Sequence, residues 1–198
     1  MDNGQILNCE IILKGRSTLR VFERGALNYW LEKKSLFVPQ ELCISREQRD
    51  VRATALRAAI DECVKLGLCV HEQTVDNLVV TAGKQMLCDL LIDEEDVGIG
   101  YHELGTGTTT PALTDAALTT SAVRKVVTSK VRSGNQVQVS TFFLASESTY
   151  DIKEAGIFGG AGASATPGSG RMLCHYLQSY NNSAGAYDLT FEYLLTIN

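Results

Sequence analysis

Alternation of apolar and polar residues marks the second half of the chain and is strongest near its end. From residue 187 to residue 197 every second residue is apolar, and only Leu194 interrupts the pattern. A period of two gives a β-strand one apolar face. Weaker alternation over residues 123–131 and 137–143 predicts two further strands, joined by a hairpin turn at residues 133–135.

Three more segments, residues 98–104, 151–158 and 171–177, bring the prediction to about six antiparallel strands. Such strands bury their apolar faces when two sheets stack, so we expect a compact β-sandwich. We expect residues 98–104 and 171–177 to form its outer strands, where backbone groups are left unpaired. The predicted core comprises Val127, Val139, Phe143, Ile157, Leu189, Phe191 and Ile197.

The period changes to that of a helix in the first half of the chain. Residues 45–66 carry apolar side chains at helical spacing, Ser45 and Gln48 form a capping-box pattern, and Gly67 suits the left-handed residue after a helix. A second helix is predicted after Thr81 and before the acidic run at residues 93–96. Its apolar face would comprise Met86, Leu87, Leu90 and Leu91.

The segment before the first helix predicts two short strands at residues 10–13 and 18–22, with a turn between them. The fold class that follows is α+β, with an antiparallel β-sandwich in the C-terminal part and a small mixed α/β N-terminal part. Residues 1–75 would hold the short strands and an inserted helix. Residues 76–198 would hold one helix and the sandwich.

Charge excludes one class of partner. The chain has 198 residues, 18 basic and 23 acidic, so its formal net charge is -5. It shows no basic stripe with interleaved aromatics, so we expect no nucleic-acid partner. Neither a signal peptide nor an apolar run of about 18 residues is evident, so we expect no membrane insertion.

The cysteines predict neither a disulfide framework nor a metal site. They lie at irregular spacings without a Cys-x-x-Cys motif, which is typical of reduced, mostly buried thiols. Cys63, Cys69 and His71 are close enough in sequence to be metal ligands, but the apolar neighbours of both cysteines favour core packing. We therefore expect neither a metal nor another cofactor. The six cysteines are Cys9, Cys43, Cys63, Cys69, Cys88 and Cys174.

No signature of catalysis is complete, so we expect a protein that is not an enzyme. A Gly-x-Ser-x-Gly elbow is missing, and Gly83-Lys84 lacks the upstream glycine of a phosphate loop. His102-Glu103 begins a zinc-protease motif, but Thr106 stands where the second histidine is needed.

The glycine- and threonine-rich segment at residues 105–111 resembles a phosphate-binding loop in composition only. We expect it to be a crossover between two sheets instead. Gly105 and Gly107 would end a strand, and Pro111 would enforce an extended approach. Thr114 or Asp115 would cap a short turn through Leu118.

Several motifs in order resemble a family of tailed-bacteriophage structural proteins, described as tail-fibre, baseplate or minor structural proteins. The resemblance covers about residues 76–198, and residues 25–75 look inserted. The motifs are Asn-Leu-Val-Val-Thr-Ala-Gly at 77–83, Ile-Gly-Tyr-His-Glu-Leu-Gly-Thr-Gly-Thr-Thr-Thr-Pro at 99–111, Thr-Asp-Ala-Ala-Leu at 114–118, Arg124, Glu-Ala-Gly-Ile-Phe at 154–158, Met172-Leu173 and the long alternating strand.

The resemblance implies a non-enzymatic virion component at the tail, neck or baseplate, made in the bacterial host cytoplasm. Its partners would be other virion structural proteins and further copies of itself, in a trimer or ring. The matched residues suit architecture: Gly156 permits a bulge or close backbone approach, Glu154 can accept backbone donors from a neighbouring loop, and Asp115 can cap a turn.

Two alternatives remain open at this point. One is a capsid decoration protein of the same fold. The other is a receptor-binding or carbohydrate-binding module of the adsorption apparatus, which would need exposed aromatic residues. The candidates are Tyr150, Tyr176, Tyr180 and Tyr187, of which Tyr176 and Tyr187 are better placed for a core.

The helix at residues 45–66 offers a possible contact element. Its cationic side chains would suit docking to a neighbouring acidic subunit. An ordinary solvated face is the alternative, because Glu47, Asp50, Asp61 and Glu62 are interspersed. The cationic residues are Arg46, Arg49, Arg52, Arg57 and Lys65.

Overall fold

A computed structural model describes residues 12–33 and 46–198, which contain nine strands and three helices. Along the chain the elements are β1 (Leu13–Glu23), α1 (Ala26–Lys33), α2 (Arg46–Lys65), β2 (Cys69–Val79), α3 (Thr81–Leu91), β3 (Ile99–Gly105), β4 (Ser121–Val126), β5 (Ser129–Ser133), β6 (Gln136–Phe143), β7 (Asp151–Gly159), β8 (Arg171–Asn181) and β9 (Tyr187–Ile197).

The strands form one continuous antiparallel sheet in the order β4-β3-β7-β8-β2-β1-β9-β6-β5. The sheet bends at β2, which pairs with β1 along most of its length but with β8 only through Leu78 and Val79. We call β5, β6, β9 and β1 the β1 half, and β4, β3, β7 and β8 the β7 half. The β-rich α+β class is confirmed, and the sheet is a single curled one.

The two ends of the sheet meet at a two-residue link between β4 and β5. The Val127 N–H donates to the carbonyl of Gly100 at 3.0 Å, and the Thr128 N–H donates to that of Ser140 at 2.7 Å. The chain therefore passes from pairing with β3 to pairing with β6. The strand predicted at residues 123–131 is split by this change of partner.

The prediction of outer strands was wrong. β3 lies between β4 and β7, and β8 lies between β7 and β2, so both have neighbours on each side. The outer positions belong to β4 and β5. Local patterning could not show this, because it contains no information on which strands pair.

The core lies between the inner faces of the two halves. Six of the seven predicted core residues are buried, namely Val127, Val139, Phe143, Ile157, Leu189 and Phe191. The prediction for Ile197 was wrong, since it is 41% exposed. Ile197 is the last residue of β9, where the ladder with β1 ends opposite Leu13.

Helices α1 and α2 cover part of the outer face of the β1 half. Phe22 and Phe142 of the sheet pack there against Leu27 and Leu56 of the helices. The end of α2 agrees with the sequence: Gly67 has a φ of +73°, and the Leu68 N–H donates to the carbonyl of Cys63 at 2.9 Å. Ser45, the predicted cap, lies outside the described residues.

The N-terminal predictions need correction. In place of two short strands there is one, β1, and Gly15 pairs within it to Asn77 and Leu195. Residues 10 and 11 lie outside the described part. Because β1 lies between β2 and β9, and residue 75 falls within β2, the parts before and after that residue share the sheet.

Helix α3 packs on β8. Met86 is buried and Leu87 and Leu90 are half-buried, as the pattern predicted, but Leu91 is 81% exposed at the end of the helix. Within residues 12–33 and 46–198, no helix combines the length and apolar character needed to cross a membrane.

Candidate functional site

Residues singled out from the sequence gather on the outer face of the β7 half, beneath two loops. The prediction that the segment after Gly105 crosses between two sheets was wrong, because residues 106–120 join β3 to β4 and these strands pair with each other in the same sheet. We nevertheless call residues 106–120 the crossover loop, and we call residues 160–170 the glycine-rich loop. Leu118 of the crossover loop packs with Val80, Phe158 and Met172 in a small apolar cluster. Each loop is also held by a buried glutamate from the sheet.

Glu154, on β7, holds the crossover loop. Its fully buried carboxylate accepts the N–H groups of Gly107 at 3.0 Å, Thr119 at 3.1 Å and Thr120 at 2.8 Å. Hydrogen bonds to an ionised acceptor are among the stronger ones in proteins. The expectation that Glu154 accepts backbone donors from a neighbouring loop is confirmed.

His175, on β8, connects Glu154 to Asp115 of the crossover loop. Its Nε2 lies 3.0 Å from a Glu154 oxygen, and its Nδ1 lies 2.6 Å from Asp115 Oδ2. Both ring nitrogens face carboxylates, so neither is left to activate a hydroxyl or thiol nucleophile. This chemistry fastens a loop and differs from that of a nucleophile-activating triad.

Asp115 does not cap the turn that was predicted at residues 116–118. Its Oδ2 accepts the N–H of Ala112 at 2.8 Å, on the preceding side of the turn, and not a donor in residues 116–118. Burial opposes ionisation of Asp115, but the Ala112 N–H and His175 outweigh it and lower the pKa of this carboxyl.

Three glycines near Glu154 are needed for space. A Cβ at Gly107 would lie 2.3 Å from Glu154 Oε1, and one at Gly105 would lie 2.6 Å from the Thr120 carbonyl oxygen. At Gly156 it would meet the Cys174 carbonyl oxygen at 3.0 Å and Leu118 at 3.2 Å. Pro111, farther along the crossover loop, is half-buried.

The glycine-rich loop is held by a second buried cluster. Glu103 of β3 and Arg124 of β4 form an ion pair at 2.6 Å, and both side chains are fully buried. Glu103 accepts the Gly168 N–H at 3.0 Å, while Arg124 donates to the Ser169 carbonyl at 2.6 Å.

The Arg124 guanidinium also lies between two aromatic rings. Its central carbon is 4.8 Å from the Tyr101 ring centroid and 4.4 Å from that of Phe158. Ring faces attract cations, which helps to offset the desolvation of this buried charge.

Sequence reasoning missed His175, and it missed the pairing of Glu103 with Arg124. The available signal was the register of strands, because Glu103 stands opposite Arg124 in the β3–β4 ladder. His175 gave no signal of its own, since its partners are 60 and 21 residues away.

The predicted cationic face of α2 is only partly described. The side chains of Arg46 and Arg49 lie outside the described residues. Arg52 is half-buried, whereas Arg57 and Lys65 are exposed, as are Asp50 and Asp61. The described part of this face therefore carries both signs of charge.

A second buried histidine lies in the core. His102 is fully buried, its Nε2 is 2.7 Å from the Tyr176 hydroxyl, and its ring packs on Phe143 and Phe191. Burial lowers the pKa of His102 to about 3. Like Tyr176, this histidine is part of the core.

Four cysteines are described, and none of these forms a disulfide. Burial raises the pKa of Cys63 to about 11 and that of Cys174 to about 12. Cys69 is half-buried and Cys88 is exposed. Cys9 and Cys43 lie outside the described residues, and no potential metal-binding cluster occurs in the described part.

Comparisons with protein-family models, curated proteins and solved structures found no match to this chain.

Proposed function

We propose that this chain is a non-enzymatic structural component of a tailed-bacteriophage virion, located at the tail, neck or baseplate. It is made in the bacterial cytoplasm and acts through contacts with other virion proteins and with copies of itself. In this proposal the curled sheet serves as a rigid sandwich-like module, with two apolar inner faces packed on each other.

One observation carries the proposal. Residues from separate motifs of the resemblance come together in a single buried network that fastens a loop. Gly105 ends β3, Gly107 and Asp115 belong to the crossover loop, and Glu154 and Gly156 belong to β7. The network joins carboxylates to backbone amides and an imidazole, which supports a fixed surface for assembly.

The aromatic residues favour this reading over a carbohydrate-binding module. Tyr176 is buried, and Tyr150, Tyr180 and Tyr187 are half-buried against the main core. A sugar ring stacks on an exposed aromatic face, whereas the rings of these four tyrosines pack within or against the main core.

The test uses purified particles of a phage that encodes this chain. Quantitative mass spectrometry should find the chain at a constant copy number per particle. Cross-links should connect it to tail, neck or baseplate proteins. Absence from particles would refute the proposal, and cross-links to the capsid surface alone would replace it with a decoration role.

A pair of variants connects the test to the network. Glu154→Gln should reduce incorporation into particles, because the crossover loop loses its ionised acceptor. Glu72→Gln removes an exposed carboxylate and serves as the matched control. Equal incorporation of both variants would show that the fastened loop has no part in assembly.

A further inference from the structure

A groove lies between α2 and the outer face of the β1 half. It encloses about 280 Å³ and is lined by two arginines, several uncharged polar residues and an apolar floor. We call it the arginine groove. Its lining comprises Arg16, Arg57, Thr18, Ser133, Gln136, Gln138, Glu192, Val131 and Leu194.

Within the described residues neither arginine of the groove has a close ion pair, although Arg57 also lines an adjoining pocket with Asp61 and Glu72. Arg57 is exposed, and its guanidinium makes one hydrogen bond, to the amide oxygen of Gln138 at 3.2 Å. Arg16 reaches Asp76 only through a solvent-exposed contact of 3.5 Å. Exposed pairs of this kind contribute little to stability, so both cations can take another partner.

The one carboxylate that lines the groove is already engaged. One oxygen of Glu192 accepts a hydrogen bond from Gln138, and the other pairs with Arg20 on the neighbouring strand. Arg20 is shared between two carboxylates, because it also pairs with Glu72. Among the side chains that line the groove, two arginines therefore stand against one carboxylate, in a chain whose formal charge is -5.

The same chain carries an acidic turn with the opposite character, at residues 93–96. The side chains of Asp93, Glu94 and Asp96 are exposed, and within the described residues they make no hydrogen bond or ion pair. Leu91 and Ile92, which precede the turn, are 81% and 61% exposed. Three free carboxylates thus lie beside two exposed apolar side chains.

Glu95 holds this turn in place. Its buried carboxylate accepts the N–H groups of Val97 at 2.9 Å and Ala161 at 2.7 Å. The Ala161 and Val97 N–H groups lower the pKa of this carboxyl. A turn fixed in this way loses little conformational entropy when it binds a partner.

We propose that the acidic turn of one copy docks in the arginine groove of a second copy. The carboxylates of Asp93, Glu94 and Asp96 would meet Arg16 and Arg57. Leu91 and Ile92 would meet the apolar floor. The proposal deepens the proposed function, on which it rests for its biological setting, by naming one self-contact.

The contact must join two copies because of where its parts lie. The acidic turn follows α3, which packs on β8 of the β7 half. The groove is built from α2 and strands of the β1 half. A contact between different surfaces of identical chains is heterologous, and repeated copies then close into a ring or extend as a filament.

The experiment measures self-association of the purified chain by analytical ultracentrifugation. Association should increase with concentration and weaken between about 50 mM and about 500 mM salt, because screening reduces attraction between exposed charges. Arg57→Glu and Glu94→Lys should each weaken it about tenfold. Lys153→Glu changes a cation on β7, a strand that contributes neither to the groove nor to the acidic turn, and should leave association unchanged.

The combined variant Arg57→Glu/Glu94→Lys decides the question, since it reverses both sides of the contact. Association restored to within about threefold of the original chain supports direct pairing. A chain that stays monomeric at about 1 mM, or a combined variant as weak as the single ones, overturns the proposal. These readouts need no virion, so they are independent of whether the chain is found in particles.

Discussion

At the residue scale, the buried carboxylate of Glu154 is the central group of the candidate site. It accepts hydrogen bonds from three backbone N–H groups and lies within hydrogen-bonding distance of the His175 imidazole. In Glu154→Gln the side chain keeps its size but loses its charge, and an amide N–H would face another donor. We expect a cost of about 2–3 kcal/mol in the free energy of unfolding. Urea denaturation measures it, and hydrogen exchange at Gly107, Thr119 and Thr120 should accelerate.

Glu72→Gln is the matched control for that variant. Glu72 belongs to an exposed ion pair with Arg20, so its loss should change stability by less than about 1 kcal/mol. Equal costs for the two variants would contradict the special role assigned to Glu154.

The core makes a second residue-scale prediction. Phe191 is fully buried between the halves, where it packs on His102 and Phe143. Phe191→Ala should cost about 3–5 kcal/mol through lost transfer energy and a new cavity. Ile197→Ala, at the exposed end of the same strand, should cost less than about 1 kcal/mol. An unchanged unfolding midpoint in Phe191→Ala would show that this face is not the core.

Thiol reactivity follows burial. Cys88 is exposed, whereas Cys63 and Cys174 are buried and have raised pKa values, so their thiolates are scarce near neutral pH. Among the described cysteines, iodoacetamide should label Cys88 before the others and leave Cys63 and Cys174 unmodified until the chain unfolds. Site-resolved mass spectrometry checks this order, and equal labelling of Cys88 and Cys174 in the native chain would contradict it.

At the element scale, β9 and α2 were predictable because each carries its signal locally. The alternation from Tyr187 to Leu195 specifies a strand, and the glycine at position 67 marks the end of a helix. β1 and the β4–β5 link were not predictable in this way. Lys14 to Ser17 has turn composition, yet pairing with β2 and β9 on both sides keeps it extended.

Helix α2 is also the element whose removal is most informative. Replacing residues 42–68 with a short glycine linker should leave the sheet folded and reduce incorporation into particles. We also expect the deletion to lower the stability of the sheet, because Phe22 and Phe142 lose the apolar side chains of α2 that pack on them. Circular dichroism should retain its strand signal while the unfolding midpoint falls and binding of an apolar dye rises.

A companion deletion that also carries Phe142→Thr should bind less dye, since it removes part of the uncovered apolar surface. Normal incorporation of the first deletion would show that α2 makes no contact in the particle. Loss of the strand signal in both would show that the sheet depends on the helix.

For the whole molecule, buried ionisable groups make stability depend on pH. His102 takes up a proton near pH 3 in the folded chain but near pH 6.5 when it is solvated. Between these values the unfolded chain holds more protons, so stability falls as the pH decreases from about 6.5 to about 3. The lowered pKa values of Asp115 and Glu95 act in the same direction.

Urea denaturation between about pH 7 and about pH 4 measures this dependence. His102→Gln removes one titrating group, so its stability should change less steeply over the same range. A slope equal to that of the original chain would show that His102 does not contribute.

The candidate site shows where sequence reasoning ends at this scale. Glu154, Asp115 and the glycines were found because motifs drew attention to them. His175 and the Glu103–Arg124 pair become recognisable only when the order and register of β4, β3, β7 and β8 are known. That order depends on pairing between distant segments, which no local pattern encodes.

The position of β9 between β1 and β6 also determines when the core can form during synthesis on the ribosome. β1 emerges first of the described strands, but its partner along residues 187–197 is translated more than 160 residues later. Until then Leu19 and Phe143 lack the strand that joins them, and such nascent apolar surface is prone to aggregation. The chain therefore completes its core after translation of β9, and nascent copies should be chaperone clients up to that point.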